Sequence, residues 1–259
     1  MLRKSGSIYG LLLGFISIFG AFLIEGGSFN TLFLLPAMLI VFGGTFSATI
    51  IGVGITKFKK IISLIKLAYF PPKYDIHQLI DGFVNVAVKS RQEGILSIQN
   101  NLNRLIYPFP KKMMNFVMDG TDIEQLELIA FGEMRAMANR HNQNISMFSK
   151  MGGYAPTMGI IGTVMGLIMT LANAGKDPNT LIHNIASAFI ATLWGILSAN
   201  LIWLPIADKL KQCHLDEKHM MELSLEGVMA IQSGEIPSIV KSRLMSYLPQ
   251  KEQGSIGVR

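Results

Sequence analysis

The chain alternates between four long stretches without Asp, Glu, Lys or Arg and stretches of ordinary polarity. A helix needs about 20 apolar residues to cross a bilayer, and each uncharged stretch has a length of that order. The four stretches are Ile8–Ile24, Leu32–Thr56, Met151–Gly175 and Pro178–Ala207. This pattern predicts an all-α integral membrane protein with four transmembrane helices and a helical cytoplasmic domain.

Short turns join the spans in pairs, with Glu25–Thr31 and Lys176–Thr180 as the tips of two hairpins. The predicted organisation is a first transmembrane hairpin, a helical cytoplasmic domain, a second transmembrane hairpin and a C-terminal cytoplasmic segment. Their ranges are 1–56 (spans near 8–24 and 32–55), 57–149, 150–207 (spans near 151–174 and 181–207) and 208–259. The first span follows Arg3 and Lys4 as a signal peptide would, but no small-x-small cleavage site follows it, which favours an uncleaved anchor.

Basic residues mark one side of the predicted membrane. They are Arg3, Lys4, Lys57, Lys59, Lys60, Lys66, Lys73, Lys150, Lys209 and Lys211. The opposite side has Lys176 alone. Because lysine and arginine concentrate on the cytoplasmic side of membrane proteins, both termini and the large loop are predicted to be cytoplasmic.

Outside the spans, the apolar residues recur at helical spacing. One such series is Ile76, Leu79, Ile80, Phe83, Val84 and Ala87, and a second is Ile95, Ile98, Leu102 and Leu105. Asp122 and Gln125 resemble a capping box that opens a helix leading into the third span. Further helices are predicted over Lys209–Ser233 and near Ser238–Leu248, followed by a polar tail without fixed structure from Gln250.

Composition narrows the function classes. The chain carries a net charge of +6, but its basic residues flank hydrophobic runs and form no stripe interleaved with aromatic residues, so nucleic acid is not an expected partner. Cys213 is the single cysteine, which rules out an intrachain disulfide. No spacing typical of a metal site, nucleotide-binding loop or catalytic triad is present, so we expect no cofactor, no metal and no enzymatic activity.

The third and fourth spans carry small residues at helical spacing. The stripe in the third span is Gly159, Gly162 and Gly166, and the stripe in the fourth is Ala188, Ala191, Gly195 and Ala199. Small residues let helices approach closely in lipid, where hydrophobic burial gives no net attraction between them. One interpretation is packing between the two helices of one chain. Because two consecutive helices carry such stripes beside threonines, we also expect a packed surface that faces a further helix.

Thr163 and Thr192 lie at matching depth. At a rise of 1.5 Å per residue, each is about 18–22 Å from the cytoplasmic ends of the spans. Two hydroxyls at one depth can line a polar path. A threonine in a helix also commonly bonds to a carbonyl of its own helix, and the spacing leaves both interpretations open.

The two spans that carry these threonines, near 151–174 and 181–207, contain no Asp, Glu, Lys or Arg. Proton transport through a membrane normally uses an ionisable group within the span. His183 is near the outer end of the fourth span, a position typical of an interfacial residue. If the protein conducts ions, the carboxylate must therefore come from a partner helix.

Several segments resemble the flagellar motor stator A subunit family (MotA/PomA), within the wider group that includes TolQ and ExbB. The segments are Val41–Phe46, Lys89–Gly94, Ala155–Gly166, Ala191–Leu197, Leu204–Asp208 and Ile231–Pro237. Four spans also fit this family, whereas TolQ and ExbB have three. The resemblance implies a multi-pass protein of the bacterial cytoplasmic membrane, with five copies arranged around two B-type (MotB-like) subunits.

In such an assembly, the B-type subunit supplies the channel aspartate, and ion flow past it drives the rotor. By position, Thr192 matches the family's channel threonine, and Pro156 and Pro205 match two prolines at the cytoplasmic ends of the channel helices. A proline in a helix removes a backbone donor and can produce a kink. These prolines and Thr163 complete the expected ion path, while a plain kink remains the alternative for the prolines.

Arg91 resembles the loop arginine that engages the rotor protein FliG by charge. The family's usual glutamate eight residues later is replaced here by Gln99. This departure makes Glu93, Glu133 and Arg135 candidates for part of the rotor contact, with an ordinary solvated helix face as the alternative.

The coupled ion is predicted from the hydroxyl count. Sodium-type members resemble one another in a threonine pair in the fourth span, where this chain has Ala191 and Thr192. Sodium needs several oxygen ligands to replace its water, so the loss of one hydroxyl favours protons. The remaining alternatives are a TolQ/ExbB-like energiser of an outer-membrane process and a structural scaffold without ion dependence.

Overall fold

The computed structural model describes residues 2–173, 175 and 177–253. Helix makes up 86% of the structure and no strand occurs among these residues, which confirms the all-α class. Backbone contacts divide the chain into two compact units. We call Met1–Pro72 with His141–Cys213 the membrane unit, and Lys73–Arg140 with His214–Arg259 the polar unit.

These units differ from the predicted division of the chain. Residues 57–72 belong to the membrane unit, although the sequence places them in the cytoplasmic domain. The divisions after Arg140 and Cys213 both lie inside continuous helices. Lys176, predicted in the second hairpin tip, and residues 254–259 of the tail lie outside the described residues.

Helices of very different length build the membrane unit. Its N-terminal part contains α1 (Leu2–Ile24), α2 (Phe29–Leu32), α3 (Leu35–Met38), α4 (Gly44–Val53), α5 (Ile55–Phe58) and α6 (Ile61–Tyr69). The membrane unit also contains the C-terminal part of α9 (Ile123–Ala172), all of α10 (Pro178–Ser198) and the start of α11 (Leu204–Gln232). A π-helical turn, Leu39–Gly43, joins α3 to α4, and a second, Ala199–Trp203, joins α10 to α11.

Three continuous helical stretches of the described chain are long and apolar enough to cross a membrane: Leu35–Val53, Ile123–Ala172 and Pro178–Gln232. Ile8–Ile24 forms a shorter apolar helix within α1. The second span therefore begins at Leu35 and not at Leu32. The separate helix α2 ends at Leu32, and Phe33 and Leu34 leave the helical conformation before α3 starts with Pro36 in its first turn.

An aromatic cluster joins the first hairpin to α10. The indole Nε1 of Trp194 donates a buried hydrogen bond to the carbonyl of Leu32, at 2.8 Å. Rings of Phe19, Phe33 and Phe42 surround the same indole, with centroids between 5.5 and 6.2 Å away. A buried indole needs a partner for its N–H, and the carbonyl at the end of α2 supplies it.

The two helices of the first hairpin differ in the side chains that they bury. α1 exposes apolar side chains such as Leu13 and Ile16, as expected of a lipid-facing helix. α4, in contrast, buries Thr45 and Thr49 completely. Their hydroxyls donate to the carbonyls of Val41 and Thr45, at 2.6 and 2.7 Å. These bonds satisfy the buried hydroxyls within the continuous helix of the second span, which buries these two threonines while Ile51 is 83% exposed.

The polar unit has a core of large side chains. Its helices are α7 (Ile76–Glu93), the 3₁₀ helix Ile95–Arg104, α8 (Pro108–Met118), the start of α9, the end of α11, α12 (Pro237–Met245) and α13 (Gln250–Gln253). Leu79, Phe83, Met113, Leu126 and Leu223 are among the fully buried members of one continuous apolar cluster. Unbranched methionines such as Met113 and Met114 help to fill this core.

Hydrogen-bonded caps and glycine turns set the helix ends of this unit. Asp75 and Asp122 each accept a bond from the backbone N–H three residues later, at 3.0 and 2.8 Å. These bonds fix the starts of α7 and α9, and the second confirms the predicted cap. Gly94, with φ of +87°, ends α7 and starts the 3₁₀ segment. The predicted regular helix over Ile95–Leu105 is therefore wrong in type, although Ile98, Leu102 and Leu105 are buried.

The C-terminal predictions are close but not complete. α12 ends at Met245, three residues before the predicted end. The predicted unstructured tail begins with a helical turn, α13, in the residues that the structure describes.

Candidate functional site

The second hairpin brings its two helices into close backbone contact through small residues. A Cβ built on Gly195 would lie 2.7 Å from the carbonyl oxygen of Ala155, and one on Gly159 would lie 3.0 Å from that of Ala191. A Cβ on Gly162 would lie 2.5 Å from the Cβ of Ala191. Such contacts leave no room for a side chain, which explains why glycine occupies these positions.

The same contact continues toward the outer end of the hairpin. A Cβ on Gly166 would lie 2.7 Å from the Cβ of Ala188. The two predicted stripes therefore face each other within one chain, which is the simpler of the two interpretations. Ala199, the last small residue of the fourth-span stripe, lies in a neighbouring buried cluster with Phe148 and Ala155. A surface for a partner helix has to include side chains outside the stripes.

Thr163 and Thr192 meet at this crossing of α9 and α10. Their hydroxyl oxygens are in direct hydrogen-bond contact, and both side chains are half-buried. The Thr163 hydroxyl also lies 3.1 Å from the carbonyl oxygen of Gly159, in its own helix, and 3.0 Å from that of Ala188, in the facing helix. Thr163 thus bonds both within its own helix and across the hairpin, whereas Thr192 bonds across the hairpin.

The hydrogen bond between Thr163 and Thr192 leaves lone pairs of one hydroxyl oxygen without a donor. A threonine hydroxyl has one proton to donate and lone pairs to accept. When Thr163 donates to a carbonyl, Thr192 donates to Thr163. The lone pairs of the Thr192 oxygen then accept no hydrogen bond from any residue that the structure describes. An acceptor oxygen at this depth is available to a donor brought by another molecule.

Both prolines lie inside long helical stretches. Pro156 is within α9, four residues after Gly152, whose carbonyl therefore lacks the usual donor. Pro205 is the second residue of α11 and directly follows the π-helical turn, where the Leu204 N–H bonds back to the carbonyl of Ala199. A π-helical turn adds one residue per turn and is frequent at functional sites. Neither π-helical turn has a signal in the hydrophobic pattern.

The hydrophobic pattern does not identify one further polar residue, because this residue lies inside an uncharged run. Asn200 is exposed within the second π-helical turn, and its Nδ2 donates to the carbonyl of Ile196 at 2.9 Å. The back-bond satisfies one donor of an amide that would otherwise face lipid.

The five predicted rotor-contact residues lie in the polar unit and differ in their contacts. Glu93 pairs with Lys89 at 2.7 Å, and Glu133 pairs with Lys112 at 2.6 Å, so both carboxylates already have a basic partner. Arg91 and Arg135 are exposed and form no ion pair within the described part of the chain, and the uncharged side chain of Gln99 is also exposed. Arg135 borders a groove with Leu128 and Phe131, apart from the α7 end that carries Arg91.

Family comparisons match both halves of the chain. Residues 8–94 match the motility protein A N-terminal family, and residues 101–223 match the MotA/TolQ/ExbB proton channel family. Motility protein A of Bacillus subtilis is 33% identical over 248 residues, which cover 95% of this chain and 92% of that protein. The chain belongs to the motility protein A family. The predicted resemblance is thereby confirmed.

Other relatives and solved structures agree with this family. Chemotaxis protein PomA of Vibrio alginolyticus is 29% identical over 93% of this chain and 94% of its own length. The flagellar MotAB stator complex from Bacillus subtilis contains a chain with a TM-score of 0.88 and 32% identity, covering 95% of this chain and 96% of that one. The MotAB structure of C. jejuni has the same TM-score at 23% identity and shows the shared fold. The all-α membrane fold is confirmed on this basis.

Proposed function

We propose that this chain is the A subunit of a flagellar motor stator, in which it forms an ion channel with a B-type subunit and converts ion flow into rotor torque. The observation that carries the proposal is its similarity, over nearly the whole chain, to the solved flagellar stator complex of Bacillus subtilis. The match of residues 8–94 to the motility protein A N-terminal family favours this function over a TolQ/ExbB-like energiser. The chain acts as part of a transport machine and carries no catalysis or cofactor of its own.

The hydroxyl pair at the α9–α10 crossing supports the ion path. Thr163 and Thr192 place oxygens between two spans that contain no charged residue. A protonated carboxyl group on a partner helix can donate to the open lone pairs of Thr192. After losing its proton, the carboxylate can accept from Thr192 once Thr163 turns its own proton from the carbonyl to the Thr192 oxygen, because each hydroxyl has a single proton to donate. The partner thus supplies the titratable group, and this chain supplies a neutral polar wall with Pro156 and Pro205 nearer its cytoplasmic end.

Protons are the proposed coupled ion. The crossing offers two hydroxyl oxygens that are already bonded to each other, while Ala191 is apolar and buried against Gly162. Sodium would need several further oxygen ligands in place of its water. A protonated carboxyl group needs no such shell.

The proposed setting is the bacterial cytoplasmic membrane, with both termini cytoplasmic. Five copies surround two B-type subunits, and the polar unit reaches the rotor protein FliG. Because Glu93 and Glu133 are already paired, Arg91 and Arg135 are the charges left to carry the rotor contact in place of an acid at Gln99.

A complementation experiment tests the function. The gene is deleted in its own organism, and the chain is restored with its B-type partner either wild type or with the intramembrane aspartate changed to asparagine. We expect swimming with the first partner and none with the second, at equal membrane levels of both subunits. Swimming that persists without the partner's carboxylate would contradict the proposed division of labour.

A second experiment decides the ion. Swimming speed is measured in sodium-free medium, with and without a protonophore. We expect full speed without sodium and arrest by the protonophore, whereas arrest on sodium removal alone would show that protons are not the coupled ion.

A further inference from the structure

The membrane unit contains an open cavity of about 470 Å³ between α1, α6 and the segment from the second π-helical turn into α11. Gly10, Leu11, Ala68, Leu201 and Ile206 form its apolar wall. Gly10 lines the cavity, and a Cβ added there would meet no atom within 4 Å, so this position has room for a larger side chain. The volume falls in the range of small-molecule sites, about 300–1,000 Å³, and is smaller than a helix several turns long would need.

The residues that form the apolar wall of the cavity and the charged residues at its rim lie close together in the sequence. Leu201 and Ile206 belong to the last uncharged turns of the fourth span, and the charged residues Asp208 and Lys209 directly follow that span. The cavity therefore runs from the apolar depth of the membrane to the level at which charge begins. That is the polarity profile of a lipid with its tail inward and its headgroup at the rim.

The position of α6 supports a site at the membrane surface. This helix buries Leu64 and Ala68 against the membrane unit, while Ile62 is 77% exposed and Lys66 is also exposed. Exposed apolar side chains beside lysines are typical of helices that lie in the headgroup region. Tyr69, at the end of α6, also lines the cavity.

The charges of the rim select the headgroup. Asp208 is exposed and Lys209 half-buried, and neither forms an ion pair with any described residue. Lys209 suits a phosphate, but the adjacent carboxylate disfavours a purely anionic headgroup. A headgroup that carries both a phosphate and a primary ammonium satisfies both side chains, because the ammonium has N–H donors for Asp208, which a choline group lacks. A tyrosine hydroxyl is protonated at neutral pH and can donate to the phosphate, and burial raises the pKa of Tyr69 further in the same direction.

We propose that this cavity holds the headgroup and the adjoining part of one acyl chain of a phosphatidylethanolamine molecule, with the acyl chain against Gly10, Leu11 and Leu201, the phosphate at Lys209 and the ammonium at Asp208. The inference rests on the membrane unit alone and is independent of ion coupling. The bound lipid would fill the gap between α1, α6 and the fourth span.

Lipid retention in native mass spectrometry tests the site. The full-length protein is reconstituted in vesicles of equal parts phosphatidylethanolamine, phosphatidylglycerol and phosphatidylcholine, then extracted in mild detergent. We expect wild-type protein to keep phosphatidylethanolamine selectively. Gly10→Leu, which fills the cavity, Lys209→Gln and Asp208→Asn should each lower its retention about tenfold, the factor that corresponds to about 1.4 kcal/mol.

Gly20→Leu is the matched control. Gly20 is in the same helix, is not part of the cavity wall, and has equally open space at its Cβ. This variant should keep wild-type retention, and the charge variants at the rim test the site without changing its packing.

Three results would overturn the proposal. Equal loss in Gly10→Leu and Gly20→Leu would mean that the cavity is not the site. Selective retention of phosphatidylglycerol, unaffected by Asp208→Asn, would show a phosphate site without ammonium recognition. A change in the number of protein copies in Gly10→Leu, with no lipid retained by wild type, would assign the cavity to contact with a second copy.

Discussion

The α9–α10 crossing and the core of the polar unit show two different ways of holding helices together. The crossing contains glycine and alanine with backbone atoms almost in contact, whereas the core contains fully buried Phe83, Leu79 and Met113. In water, burial of large apolar side chains supplies the main driving force. In lipid that force is absent between helices, and close approach with interhelical hydrogen bonds replaces it. Size changes should therefore act in opposite directions: loss of volume damages the core, and gain of volume damages the crossing.

The largest effect is expected from Phe83→Ala. Phe83 is fully buried, and its ring packs so closely on Gly227 that a Cβ there would lie 2.9 Å away. Truncating a buried phenylalanine costs about 3–5 kcal/mol. Hydrogen exchange of α7 amides in the full-length protein should reveal this loss as faster opening.

Val88→Ala is the control for that variant. Val88 lies on the same helix and is 36% exposed, so its truncation should change stability by about 0.5 kcal/mol or less. Equal acceleration in both variants would mean that α7 is not held by this core.

Replacing a glycine inside a helix with alanine usually stabilises the helix, but Gly195→Ala should destabilise the protein. Alanine favours a helix over glycine by about 1 kcal/mol. At Gly195 the added methyl group meets the carbonyl of Ala155, and such overpacking costs about 1–3 kcal/mol. Thermal unfolding in detergent should show a lower midpoint for this variant.

Gly153→Ala is the control for Gly195→Ala and should not lower the unfolding midpoint, because a Cβ at Gly153 meets no atom within 4 Å. We expect an unchanged or higher midpoint. A higher midpoint in Gly195→Ala as well would contradict the close crossing.

A smaller effect is expected at the start of α9. Asp122→Ala removes the hydrogen bond to the backbone N–H of Gln125 and should cost about 1 kcal/mol. Faster hydrogen exchange should be confined to the first turn of α9. Asp119→Ala is a suitable control, because Asp119 is exposed and lies three residues before Asp122 in the sequence. This variant should leave hydrogen exchange in the first turn of α9 unchanged.

The smallest effect on stability, with the largest effect on function, is expected from Thr192→Val. It removes the hydroxyl bonded to Thr163, and interhelical hydrogen bonds in membranes contribute only about 0.6 kcal/mol on average. The unfolding midpoint should barely move, while swimming speed should fall strongly because the polar wall loses an oxygen.

Two further variants separate chemistry from packing. Thr192→Ser restores the hydroxyl and should recover most of the speed. Thr170→Val removes a hydroxyl that bonds only within its own helix, to Gly166, and should swim normally. If Thr192→Val also swims normally, Thr192 is not part of the ion path.

The sequence predicts the fold to the extent that polarity controls it. Uncharged runs locate the spans, and the spacing of Leu79, Ile80 and Phe83 identifies the core face of α7. It does not predict the π-helical turns or the 3₁₀ segment, because these depend on local backbone bonding and a positive-φ glycine at Gly94. Thr45 and Thr49 were missed for a related reason: an uncharged threonine does not interrupt an apolar run, whether it is buried or exposed.

The candidate site could likewise be predicted from the sequence only in part. Sequence spacing placed Thr163 and Thr192 at one depth, but only the folded hairpin shows that their hydroxyls touch and that the small-residue stripes meet each other. The sequence does not predict which residues of this chain contact a partner helix. Neither the spacing of the hydrophobic residues nor that of the glycines specifies this surface.

The closed hydroxyl pair has a consequence for how such a channel is made in the cell. Thr163 and Thr192 bond to each other, and apart from His183 near the outer end of the fourth span, their two spans contain no side chain that takes up a proton near neutral pH. A freshly inserted chain of this kind therefore gives protons no stepping stone across the membrane. Under the proposed function the proton route is complete only with the partner's carboxylate, so cells can produce this chain ahead of its partner without discharging the ion gradient.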